Sequence, residues 1–131
     1  MKLVLKLGLI VAATTTLLYL PIIINPNLIL NRNNDISEFF WPIFHFAKQQ
    51  IVSKHQFPLW NNLFLSGMPF VSDPQAPLFY PPNIIFLFLP TGNAFLTSFI
   101  LHTFLGGIGM FLLARSLGMK QMTSLFAAAA F

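Results

Sequence analysis

Polar side chains thin out twice along this chain. Leu7 to Ile24 is a run of 18 residues without a charge. At about 1.5 Å per residue such a helix is about 27 Å long, close to a bilayer hydrocarbon core of about 30 Å. Ala94 to Ala114 repeats the pattern, with His102 as its one titratable interruption. Two membrane spans, 7–24 and 94–114, are therefore predicted. From Thr123 to Phe131 the chain is apolar again, too short to cross a bilayer and closed by nothing polar or basic. It reads as the start of a third span. The expectation is the N-terminal piece of a longer multi-span protein, a single membrane domain over 1–131.

Residues 25–93 between the two spans read as a long outer loop carrying interfacial helices. Pro21 or Pro26 is expected to break the first span, because a proline ring removes a backbone donor and clashes with the preceding turn. The Asn-rich segment "NPNLILNRNND" reads as an extended or turned connector. On a helical wheel of Ile36–His55, Ile36, Phe39, Phe40, Ile43, Phe44, Phe46, Ala47 and Ile51 share one face. Glu38, His45, Lys48, Gln49 and Ser53 lie opposite. That pattern predicts a helix at the membrane surface with its aromatic face down, kinked or delayed by Pro42. Prolines at 58, 69, 74, 77, 81 and 82 forbid a long regular element from Phe57 to Pro82, and Ser66-Gly67 reads as a tight turn. Asn83–Pro90 is apolar and short, a re-entrant or interfacial helix, and Thr91-Gly92-Asn93 is expected to turn the chain into the second span. Gly106, Gly107 and Gly109 in that span allow close approach of a neighbouring helix.

Composition agrees with a lipid environment: 56% of residues are apolar and only 8% are charged, where a soluble domain has about a quarter. The N-terminal run is long for a cleaved signal peptide, and Pro21–Asn25 has no small-x-small cleavage site, so a retained helix is expected. With no cysteine there are no disulfides, thiol nucleophiles or thiolate metal sites. The formal charge of +4 does not form a nucleic-acid stripe. Lys2 and Lys6 precede the first span and Arg115 and Lys120 follow the second, while in the loop Arg32, Lys48 and Lys54 balance Asp35, Glu38 and Asp73. Positive residues at cytoplasmic ends place the N-terminus and the 115–120 turn inside and loop 25–93 outside. The protein is expected in a membrane as a multi-pass chain, with the lipid bilayer as partner and no nucleic acid.

One segment carries a family likeness. "PLWNNLFLSGMPFVSDPQAPLFYPPNIIFLFLP", Pro58–Pro90, resembles the proline–aromatic string of YfhO-like bacterial membrane proteins, and "LHTFLGGIGMFLLARSLGM", Leu101–Met119, resembles the helix that follows it there. Asp35, with Pro42 seven residues on, matches that family's acidic segment after its first span. Two departures are Asn62-Leu63 in place of a usual Pro-Tyr, and His55-Gln56-Phe57 where a glycine usually precedes "PLW". The resemblance implies an all-α integral protein of a bacterial inner membrane, with a GT-C-like polytopic fold of about a dozen spans. It further implies a lipid-dependent glycosyltransferase using a polyprenyl-phosphate sugar, with an acidic residue of the first outer loop acting at the acceptor.

Asp35 is the candidate catalytic residue, since glycosyl transfer to a hydroxyl needs a carboxylate to take the acceptor's proton. Its alternative is a helix cap, because Asp35 and Glu38 have capping-box spacing. Glu38 is the second half of that cap or an acceptor contact. His45 contacts a phosphate or is a solvated face residue. Asp73, between Ser72 and Pro74, is a substrate contact or a turn residue. Trp60 and Tyr80 stack on sugars or anchor at the interface. Arg32, Lys48 and Lys54 attract anionic headgroups or a donor phosphate, each by about 1 kcal/mol. His102 is read as a helix–helix hydrogen-bond partner. No phosphate-cradling glycine loop, His-x-x-x-His pair or Ser–His–Asp order is present; Asp35 and Asp73 are too far apart in sequence for spacing alone to make them a metal pair, and dependence on a divalent metal is left open.

The reading is an inverting membrane glycosyltransferase that moves a sugar from a polyprenyl-phosphate donor to a cell-envelope glycan or polymer on the outer face. The alternative is a non-catalytic polytopic protein for transport or assembly of lipid-linked glycans. Glu38, His45, Trp60, Asp73 and Tyr80 are the candidate substrate contacts.

Overall fold

The computed structural model describes residues 2–29, 31, 34–76 and 78–131; Arg32 and Pro77 lie outside it, as do the side chains of residues 1–6 and of Pro26. The chain is mostly helical and divides into two units, one of residues up to Asn25 with Phe99–Phe131, the other Pro26–Ser98.

In the first unit the apolar run is the core of helix α1 (Lys2–Ile24). Pro21 does not break it. A proline lacks only its own N–H, and Pro21 sits in the last turn, where its carbonyl still accepts the Asn25 N–H at 3.0 Å. The helix stops at Ile24, and the next residue, Asn25, is the position before Pro26, where helical backbone is disfavoured. The second apolar run is helix α4 (Thr91–Ser116). Thr91, Gly92 and Asn93 are its first turn and not a turn ahead of it, with the Pro90 carbonyl accepting the Ala94 N–H. Both helices are long and apolar enough to cross a bilayer, and little of either is buried within the protein. Leu9, Leu17, Leu18 and Ile24 on α1 and Leu105, Leu112 and Leu113 on α4 are exposed, as lipid-facing side chains are. Thr14 and Thr16 return their hydroxyls to the carbonyls of Ile10 and Ala12, so neither leaves a bare donor in an apolar surface.

Helix α4 ends in a Schellman closure: the Gly118 N–H bonds the Arg115 carbonyl, the Met119 N–H bonds the Ala114 carbonyl, and Gly118 has φ +80. Helix α5 (Gln121–Ala130) follows, beginning two residues before the predicted Thr123. Leu7, Val11, Phe111, Leu125 and Ala128 form the core of this unit. The Tyr19 and Thr103 hydroxyls hydrogen-bond at 2.9 Å between α1 and α4.

Two of the three span glycines are at close contacts. A side chain at Gly106 would enter the Phe131 ring, and a Cβ at Gly107 would lie 2.8 Å from Val11 Cγ1 and 3.2 Å from the Ala128 carbonyl oxygen. Nothing lies within 4 Å of such a Cβ at Gly109. Gly107→Val is accordingly expected to cost about 1–3 kcal/mol by overpacking, read as a lower thermal midpoint in detergent, with Gly109→Ala unchanged.

The second unit is built on the helical segment predicted from periodicity. Helix α2 (Trp41–Lys48) is flanked by wide π-type turns, Ile36–Phe40 and Gln49–Ser53. Pro42 explains the first. It has no N–H for the Glu38 carbonyl and its ring crowds that carbonyl, so the turn widens and the Trp41 N–H reaches back to Ile36. Pro42 then sits in the first turn of α2, where it is tolerated. Part of the aromatic face is covered by protein. Ile43 and Phe46, each 3% exposed, pack with Phe70 and Ala76 of the later loop. Phe44 meets Phe86 and Phe95 with ring centroids 4.0 and 5.1 Å away. The segment therefore forms the core of its unit, covered by its own chain.

Its C-terminal end closes on His55, whose φ of +53 is left-handed, with the Gln56 N–H bonding the Gln50 carbonyl. A non-glycine residue pays about 1 kcal/mol in that conformation. His55→Gly is expected to raise the unfolding midpoint by up to that amount, and a lowered midpoint would show that the His55 side chain makes a compensating contact.

The proline-rich segment holds a minimal β-hairpin, a small departure from an all-α fold. Strand β1 (Trp60–Asn61) pairs antiparallel with β2 (Met68–Pro69), Trp60 opposite Pro69 and Asn61 opposite Met68. Leu65, Ser66 and Gly67 all have positive φ in the connecting turn. Glycine is required at 67 twice over: its φ is +109, and a Cβ there would lie 2.6 Å from Trp60 Nε1. A short 3-10 turn (Pro81–Ile84) and helix α3 (Ile85–Phe88) complete the unit, along with the first turns of α4.

Candidate functional site

Helical spacing puts Phe44, Lys48 and Ile51 on one side of the α2 segment. The chain returns past that side through Leu78–Pro81 and α3, leaving a cavity of about 330 Å³ between them. Its walls are mainly Ile43, Phe44, Ala47, Ile51, Leu78, Phe79, Ile84 and Phe86; Lys48, Tyr80 and Asn83 supply its polar side chains. That size is at the small end of ordinary ligand sites, and apolar walls with a few polar groups are their usual make-up.

Lys48 belongs to this cavity and not to a solvated helix face. It is half-buried, and its Nζ donates to the Leu89 carbonyl oxygen at 2.6 Å. An ammonium has three N–H groups, and this bond uses one. Tyr80, about half exposed, is the one predicted site residue that lines the cavity. The lining role of Asn83 was not foreseen. Only the fold of 78–87 back across α2 reveals it, and nothing local in the sequence signals that return.

Asp35 stands elsewhere in the unit. The helix it precedes is capped by Asn34. The Asn34 Oδ1 accepts the Ser37 N–H at 2.8 Å, and its Nδ2 donates to the carbonyls of Asn31 at 2.8 Å and Ile29 at 3.3 Å. The Ser37 hydroxyl donates to the Asn31 carbonyl at 2.9 Å. Asp35 already has helical backbone (φ −60, ψ −26) and its side chain makes no capping bond. A cap residue needs non-helical backbone, so the capping-box assignment to Asp35 and Glu38 is replaced by Asn34 with Ser37. The Asp35 carboxylate is thereby left exposed at the start of the helix, with Glu38 exposed one turn on.

The other candidates have local roles. The exposed His45 ring stacks flat on Trp41, one turn earlier, at 4.5 Å and 8°, and its Nδ1 lies 3.4 Å from the hydroxyl of the buried Thr91. Asp73 Oδ1 accepts the Gln75 N–H at 2.9 Å, and its carbonyl accepts the Ala76 N–H, so it shapes the turn that carries Ala76 into the core. The Trp60 indole covers Gly67 and remains 57% exposed. Lys54 is exposed; His102, in the first unit, is half-buried. Among the described residues no three His, Asp or Glu side chains gather in a group able to hold a metal ion. The chain matches no established protein family, no curated protein and no solved structure.

Proposed function

We propose that this chain is part of a polytopic membrane glycosyltransferase of the GT-C-like kind that its proline–aromatic string resembles. It moves a sugar from a polyprenyl-phosphate donor to a cell-envelope glycan or polymer on the outer face of a bacterial inner membrane. The observation that carries the reading is the cap at Asn34. An acidic residue that caps a helix is explained by the helix; Asp35 does not cap, and its carboxylate is exposed for chemistry.

In the proposed reaction the acceptor hydroxyl attacks the anomeric carbon as Asp35 takes its proton. A new C–O bond forms on one face of the sugar, the bond to the phosphate breaks on the other, and polyprenyl phosphate leaves with the electron pair. The anomeric centre is inverted. The apolar cavity beside Tyr80 suits isoprene units of the donor's lipid tail, away from the reacting phosphate. Glu38, His45, Trp60 and Asp73 are assigned to the acceptor and to the sugar. Transfer of radiolabelled sugar from a polyprenyl-phosphate donor by the full-length protein tests this: wild type transfers and Asp35→Asn does not. A wild-type protein that transfers nothing would end the reading.

A further inference from the structure

The β-hairpin of the second unit exposes its most apolar residues at its end. Leu63 and Leu65 are 66% and 87% exposed, while Phe64 between them turns inward and packs on the core beside Phe39. One side chain anchors the turn and its two neighbours are held outward. Leu65 is kept there at φ +50, a conformation unfavourable to a leucine. The turn's backbone is largely self-satisfied: Asn61 Oδ1 takes the Leu63 N–H at 2.9 Å, the Phe64 carbonyl takes the Gly67 N–H at 2.7 Å, and the ladder is paired. Leu59 and the Trp60 indole, also exposed, stand at its base.

Two further facts identify what covers this surface. From Gln56 to Ser72 there is no charged or titratable side chain, which removes the usual barrier to entering an apolar phase. And the chain leaves this unit at both ends directly into apolar helices of membrane-crossing length, α1 and the remainder of α4. A bilayer is therefore the apolar phase within reach. We propose that Leu63–Leu65 is a membrane-inserting finger, seated at the headgroup–acyl boundary with Trp60 at the level of the headgroups. The inference rests on membrane attachment and not on glycosyl transfer, so it stands or falls apart from the proposed reaction.

These 131 residues contain no cysteine, so once any cysteine elsewhere in the protein is replaced by serine an introduced thiol is the sole labelling site. A nitroxide on Leu65→Cys is measured in the full-length protein reconstituted in vesicles of equal parts phosphatidylethanolamine and phosphatidylglycerol. Insertion predicts more frequent collisions with oxygen, which partitions into lipid, than with a water-soluble nickel chelate. Preference for the nickel chelate would place the tip in water and overturn the proposal. An immobile label shielded from both reagents would show the tip covered by protein, and overturns it equally. Leu63→Cys, at a position without positive φ, gives the same reading should a label at Leu65 disturb the turn.

Discussion

Phe70→Ala is expected to unfold the unit formed by residues 26–98 while leaving the helices of the first unit in place. Phe70 is 1% exposed and meets Phe46 edge-on, centroids 5.1 Å apart and planes at 62°. It is also the point where the loop is stitched to itself, its N–H on the Leu59 carbonyl at 2.8 Å and its carbonyl under the Asp73 N–H. Truncating a buried phenylalanine costs about 3–5 kcal/mol, from lost burial and from the cavity left behind. A unit this small has a total stability near the low end of the usual range of about 5–15 kcal/mol, so the loss is comparable to the whole. Both tryptophans, Trp41 and Trp60, report on this unit. Their emission in detergent should shift to that of solvated indole in Phe70→Ala and stay near wild type in Phe70→Leu, which keeps most of the volume. A wild-type denaturation midpoint for Phe70→Ala would mean that the loop does not cover α2 as described.

Much of the architecture is legible in the sequence. Eighteen uncharged residues announce a long apolar helix, and α1 is one, long enough to cross a bilayer. The ends were less readable: α1 and α4 continue beyond their apolar runs, since hydropathy measures solvent and not hydrogen bonding. Periodicity also found the helical segment at 36–53, but a wheel shows that a face is apolar without showing what covers it. The cover is Phe70 and Ala76, more than twenty residues later, within a segment whose prolines had marked it as irregular. The cap was misassigned for a related reason. Asn34 and Asp35 are both good cap residues, and which one serves depends on where the backbone turns helical, a choice made by the Asn31–Ser37 hydrogen bonds. The cavity was the least readable, being formed by two segments that no local pattern joins.

The neighbouring residues Asn34 and Asp35 make the second large prediction, because Asn34 caps the helix and the Asp35 carboxylate, exposed, does not. Asp35→Asn preserves shape and hydrogen bonding but cannot take a proton. If Asp35 is the general base, sugar transfer should fall by about 10²–10⁴, the usual worth of such a group, equivalent to about 3–5 kcal/mol of transition-state stabilisation. The thermal midpoint should not move, since the carboxylate caps nothing. Asn34→Ala should do the opposite. Losing the bond to Ser37 costs about 1 kcal/mol of stability, while the folded protein still carries its base and transfers sugar. Donor binding should be near wild type in both, because neither residue lines the cavity. Two adjacent substitutions thus separate a chemical role from a structural one. Should Asp35→Asn destabilise the protein and leave transfer intact, Asp35 is structural after all and the base must be sought at another outer-loop carboxylate, Glu38 first.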